Sequence, residues 1–198
     1  MRADVAPFPH PVTHAFGRDA DKLFGPASRE RSPDGHAADL VLVATALRDA
    51  SPRILNNWAL RVATMPLFRA FPELTLADLR RQIPDILEAA LLAVTSSSFA
   101  IDLTPLDSAI ARSEEHGRSR HGIASLDVLL AEFHALRREI RNQLWRVAEV
   151  HVREHDRRER VVRNLDDRLT TVLDAIEQAA VVAWVVEYSS GRPGGGGA

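Results

Sequence analysis

Residues 125–147 read SLDVLLAEFHALRREIRNQLWRV, and within them Leu126, Leu129, Phe133, Leu136, Ile140, Leu144 and Val147 recur at spacings of three and four. That period places them along one face of an α-helix, and Ser125 in front supplies an N-cap. Continued to about residue 160, such a helix is about 50 Å long at 1.5 Å per residue. A second stretch from Asn164 carries Leu165, Leu169, Val172, Ile176, Ala179, Ala183 and Val186 in an unbroken four-three alternation, the seam pattern of a helix that packs along its length.

The upstream punctuation is helical too. Residues 37–50 form an apolar helix, and Ser51 supplies an N-cap, followed by Pro52 at the first helical position, for another that carries Ile54, Leu55, Trp58 and Val62 and ends at Pro66 and Pro72, because proline fits the first turn of a helix and breaks its interior. Thr75 caps a short helix over 76–82. Pro84 then starts or kinks a helix with Ile86, Leu87, Ala90, Leu91 and Val94 inward, closed by the serines at 96–98. Thr104-Pro105 starts a helix through about His116, where Gly117 reads as a C-terminal stop and Gly122 marks the next turn. No segment alternates as a strand does. The expected fold class is all-α: an antiparallel helical bundle with a four-helix core and additional short helices.

Length and composition bound the rest. The chain has 198 residues, 45% of them hydrophobic and 26% charged, enough for one domain with its own core. Residues 1–35, with Pro7, Pro9, Pro11, Pro26 and Pro33, are expected to form a disordered or loosely attached arm, residues 36–188 the folded domain, and residues 189–198 a flexible Gly-rich tail. Cysteine is absent, which excludes disulfides, thiolate metal sites and cysteine nucleophiles. A net charge of -2 gives no global attraction to nucleic acid or anionic lipid. No signal-peptide core is visible, and the apolar runs at 89–94 and 179–186 fall short of the roughly 20 residues that span a bilayer. The expectation is a cytoplasmic protein without a cofactor, bound neither to nucleic acid nor to a membrane.

Four runs carry a resemblance. They are Ile54-Leu55-Asn56-Asn57-Trp58 with Arg61-Val62; Leu74-Thr75-Leu76-Ala77-Asp78-Leu79-Arg80 leading to Ile83-Pro84-Asp85-Ile86-Leu87; His116-Gly117-Arg118 with Arg120 and Gly122; and Ser125-Leu126-Asp127-Val128-Leu129 through Glu132-Phe133 to Leu136-Arg137-Arg138. In this order, over roughly half the chain, they are similar to the N-terminal sensor domain of the RsbRD type, found in bacterial stress-response regulators and some sensor kinases. The resemblance implies an all-α bundle that receives a signal or partner and passes it to an output module. Ile123 stands where the family pattern has an aromatic residue, and no output domain follows the last helix, so the expected output is a regulatory protein or domain in trans.

Candidate chemistry is sparse. The segment His116–His121, with Arg118 and Arg120, reads as a turn that offers cations and imidazoles to an acidic ligand or a partner's carboxylate, or as a plain helix connection. Trp58, Trp145 and Trp184 on separate helices either line one pocket for an apolar ligand or chromophore or belong to the core. His151 and His155, four apart, are half of a metal site at most, so no metal is expected. His155-Asp156 superficially suggests a phospho-accepting histidine, which makes a phosphotransfer bundle the alternative to a sensor. The arginines from Arg157 to Arg168 are interleaved with Glu154, Asp156, Glu159, Asp166 and Asp167 and read as a solvated face. Serine elbows, dinucleotide loops and phosphate loops are missing, so the expectation is a protein that is not an enzyme. A homodimer is expected along Leu169, Val172, Ile176, Ala179, Ala183 and Val186, with Leu173, Ala180 and Trp184 as a second apolar row and small residues for close approach.

Overall fold

Seven helices and no strand make up the described residues, 34–95 and 100–190 of the computed structural model. They are α1 (Asp34–Asp49), α2 (Ser51–Thr64), α3 (Pro66–Arg69), α4 (Leu76–Thr95), α5 (Leu103–His121), α6 (Leu126–His151) and α7 (His155–Ser190). The chain is all-α. The expected arm up to residue 33, the serines at 96–98 and the tail from residue 191 lie outside the described residues.

Local chemistry sets most boundaries. Pro52 sits in the first turn of α2, where its missing N–H costs nothing, but Ala50 rather than Ser51 holds the N-cap position, and the Ser51 hydroxyl donates back to the Arg48 carbonyl at 2.6 Å instead of capping α2. At the start of α4 a reciprocal box forms: the Asp78 N–H donates to the Thr75 hydroxyl at 3.2 Å, and the Thr75 N–H donates to the Asp78 carboxylate at 3.1 Å. Asp102 rather than Thr104 caps α5, accepting the Thr104 N–H at 3.1 Å. The short helix expected before Pro84 is part of α4, which runs through Pro84 without a break.

Two boundaries differ from the sequence expectation. First, α5 continues past Gly117 and ends at Gly122, whose φ of -79° is ordinary helical backbone. Gly117 is therefore not a stop. A Cβ there would lie 2.1 Å from the Ala180 carbonyl oxygen of α7, so its lack of a side chain lets two helix backbones touch. Second, the expected 50 Å helix is two helices. The chain turns extended at Val152 (φ -118°, ψ 101°), buries that side chain to 3% exposure, and folds α7 back along α6.

Pairings across the helices fix their directions. Arg137 reaches Asp174 at 2.6 Å and Glu177 at 3.2 Å while Arg141 reaches Asp166 at 2.7 Å, so α6 and α7 are antiparallel. On α5, Ser113 faces Ile176, Gly117 faces Ala180 and His121 faces Trp184, which makes α5 parallel to α7. Gln82 beside His116 and Asp85 beside Arg112 make α4 antiparallel to α5. One contiguous core runs through all of this, with Leu47, Ile54, Trp58, Ile83, Leu87, Leu129, Leu136, Ile140 and Ile176 at its centre.

By length and composition α7 also passes as a membrane span, with an 18-residue window of mean hydropathy 1.5, contrary to the expectation that no apolar run is long enough. Packing accounts for a third of that window: Leu169, Val172, Leu173, Ile176, Ala180 and Ala183 are buried, and Asp174 and Glu177 are held by Arg137.

Candidate functional site

The most unusual chemistry in the molecule is ionic and buried. Glu132 of α6 is fully buried, and every oxygen it owns is used. His116 Nε2 donates to its Oε2 at 2.7 Å, Arg120 Nε donates to its Oε1 at 3.0 Å, and the Trp58 indole N–H donates to its backbone carbonyl at 3.0 Å. Around this centre, His116 Nδ1 lies 3.0 Å from the Gln82 side-chain oxygen, and Arg120 donates a second bond to the Asp78 carbonyl at 3.1 Å. Phe133 packs edge-on against the His116 ring with centroids 5.8 Å apart.

Helix geometry explains the convergence. His116 and Arg120 are one turn apart on α5 and project from the same face, so both reach a single carboxylate on the crossing helix. They can come that close because Ala109, Ser113 and Gly117 present a low-relief stripe to α7, with the Ser113 hydroxyl donating to the Ile176 carbonyl at 2.7 Å. Four helices meet at Glu132: α2 through Trp58, α4 through Asp78, α5 through His116 and Arg120, and α6 itself. Such a group destabilises the fold unless each charge has its partner, and here each does. A parallel device lies one heptad later, where Arg61 of α2 donates to the Glu139 carboxylate of α6 at 2.6 Å, a carboxylate nearly buried while the arginine is half-buried.

The sequence expectation for residues 116–121 needs correction. His116 and Arg120 do not form a surface turn, because they are 0% and 3% exposed inside α5 and already spend their bonds on Glu132. Arg118 is exposed and pairs loosely with Glu114 at 3.7 Å, and His121 is half-buried against Trp184 and Tyr188. The four residues therefore do not converge on one ligand. The tryptophans do not share a cavity either. Trp58 is buried in the core, Trp145 is 49% exposed on α6, and Trp184 stacks on Tyr188 near the end of α7.

His151 ends α6 and His155 begins α7, so the break between them removes the one-turn spacing that a helical metal pair needs, and no metal-binding cluster occurs among the described residues. His155 is exposed and sits 3.3 Å from Glu159. Leu169, Val172 and Ile176, expected at a dimer interface, are 0–1% exposed within this chain's own core. The helix that approaches the small residues of α7 closely is α5 of the same chain. Of the expected row only Val186 is openly exposed, at 54%.

As chemistry, the Glu132 centre is a buried His–Glu–Arg group whose side chains bind one another, and it does not line the cleft bounded by His134, Arg137 and Arg141 or the one between α1 and α6. Glu132 and Glu139 were legible as an anomaly, since both stand at core spacing within an otherwise apolar stripe, next to Phe133 and Ile140. The chain matches no family model, no curated protein and no solved structure.

Proposed function

We propose that the chain is a non-catalytic signal-input or protein-interaction module of a bacterial regulatory pathway, built like the RsbRD-type sensor domains that its sequence resembles. The observation that carries this reading is where the resembling runs fall. Trp58, Asp78, His116, Arg120, Glu132 and Phe133 come from all four runs and meet in one buried centre. A clamp that ties four helices through the side-chain and backbone bonds of Glu132 and Arg120 makes a displacement of any of them costly unless the others follow, which suits a part whose task is to transmit a change of position. The output is another regulatory protein acting in trans.

Cross-linking in cells that express the chain, followed by mass spectrometry, tests the reading: a kinase, an anti-sigma factor or a phosphorylatable antagonist should be recovered. Labelled phosphate appearing on His155 after incubation with phosphorylated response regulators would instead make it a phosphotransfer protein. Self-association belongs to the same proposal, moved to the outer face of α7 where Val182, Val185, Val186 and Tyr188 are exposed. Sedimentation of Val186→Arg reports on it, whereas arginine at the buried Ala183 would disturb the fold itself.

A further inference from the structure

Between α1 and α6 runs a groove of about 640 Å³ that the Glu132 centre does not touch. Its lining is apolar: Ala46 and the nearly buried Val147 form the floor, between Leu42 of α1 and Val150 of α6, which are 45% and 75% exposed. Exposed aliphatic side chains of this size on both walls of a concave surface are the usual mark of a protein-binding site. The rim is cationic. Arg53 at the start of α2 and Arg146 of α6 stand on it, and among the described residues neither guanidinium has an ion pair or hydrogen-bond partner. Every other arginine of α6 is engaged with α7 except Arg138, while Asp49 is the one carboxylate on the rim.

We infer that this groove docks one amphipathic helix of a partner protein, apolar on the face it inserts and carrying carboxylates along its flanks. A concave apolar surface between two helices matches the character of a helix ridge. Free guanidiniums at the edges select acidic flanks, because arginine is among the residues that contribute most at protein interfaces and pairs carboxylates with two parallel bonds. A nucleic-acid duplex fits poorly, since two free cations interrupted by Asp49 do not form a track along a phosphate backbone. A membrane fits poorly as well, because Ala46 and Val147 lie recessed between the walls.

The inference rests on the reading of the chain as an interaction module and is tested apart from it. The purified full chain is titrated into a fluorescent synthetic helix of about five turns with leucine on one face and glutamate on both flanks, and into a twin with lysine flanks. The glutamate helix should bind in the micromolar range and the lysine twin should not. Arg53→Glu with Arg146→Glu should weaken the first at least tenfold and confer binding on the second, while Leu42→Asp should weaken both pairings without moving the melting temperature. The inference is overturned by a glutamate helix that does not bind, by binding that ignores the charge reversal, or by duplex DNA or phosphatidylglycerol vesicles bound with the same dependence on Arg53 and Arg146. If the peptide fails while cross-linking still recovers a regulatory partner, the groove is wrong and the module stands. If the peptide behaves as stated while His155 takes up phosphate, the groove stands and the module reading falls.

Discussion

Replacing Gly117 by alanine separates two readings of the same glycine by the sign of a stability change. If Gly117 merely interrupts a helix, alanine should stabilise, because α5 is regular there and alanine is favoured over glycine in a helix interior by about 1 kcal/mol. The structure argues the opposite. The new Cβ would stand 2.1 Å from the Ala180 carbonyl oxygen, 2.8 Å from its carbonyl carbon and 3.0 Å from its Cα, so α5 and α7 must separate by roughly 1 Å to restore ordinary contact. Overpacking against rigid backbone costs about 1–3 kcal/mol and sometimes more. Displacing α5 also pulls His116, which precedes the glycine, and Arg120, three residues after it, away from Glu132. With the propensity gain set against the upper end of that range, as contact with backbone demands, a loss of about 2 kcal/mol is expected, or roughly 4–8 °C in melting temperature for a domain of this size. Urea unfolding followed by circular dichroism measures it. Gly122→Ala is the internal control, since nothing lies within 4 Å of its Cβ and its φ suits alanine; it should be neutral or slightly stabilising. A Gly117→Ala protein as stable as the wild type would refute the close-approach argument. Ala180→Gly should not rescue the loss, because the atoms in the way are backbone.

Glu132→Ala strands the buried Arg120 charge and leaves the His116 ring without its acceptor, and should cost about 3–5 kcal/mol, read as a lower urea midpoint, whereas a loss below about 1 kcal/mol would mean the cluster is solvated. At the start of α4, hydrogen bonds from the Thr75 hydroxyl and N–H hold the Asp78 carboxyl below its ordinary value of 3.8. The folded form therefore gains stability that is complete above the unfolded value and disappears as the pH falls through the lower folded one; Thr75→Ala should flatten that acid limb in a pH-resolved melting series and cost about 1 kcal/mol at neutral pH through the lost cap. Burial first, and then the Arg160 charge, hold His36 below its ordinary value of 6.5, with Arg157 and Arg168 pressing the same way and Asp39 opposing. As the pH drops below 6.5 the unfolded chain takes up this proton before the folded one, so stability should decline there. His36→Gln should remove that part of the decline, and an unchanged pH dependence would show that His36 does not set it.

Helices were legible wherever one segment's own pattern decides the matter. The apolar stripe from Leu126 to Val147, the Thr75 cap and the proline after Ser51 all read correctly, because spacing and backbone donors are properties of neighbours in the chain. The break at Val152 was not, because no glycine or proline marks it; it follows from the gain of burying Val152 and pairing α7 with α6, a tertiary event. Gly117 misled for the same reason: the atom it avoids belongs to Ala180, 63 positions away in the register that Ser113 and Ile176 also show. The His116–Arg120 pair was visible as a one-turn spacing of basic residues, yet without Glu132 as their common target it read as a surface turn. The four-three seam of α7 was legible as a packing face, and within this chain Leu169, Val172, Ile176 and Ala183 are buried, whereas the close approach of α5 at Ala180 had no signal in the pattern.

The clamp at Glu132 has a kinetic side. Its bonds join residues separated by 74, 16 and 12 positions in the chain, with the Asp78 carbonyl brought in across a further 42. The α6–α7 hairpin is held by contacts of shorter reach than the indole bond from α2, so it can collect before the first helix arrives. Until Trp58 and α4 dock, Glu132 remains able to keep water. The costly desolvation of the Glu132 and Arg120 charges is then concentrated in the final closure, and the same step must be reversed first on opening. A barrier placed there governs how long the folded chain survives more than how fast it forms. Persistence of the native state, rather than depth of its energy well, is what an enclosed ion group of this kind contributes.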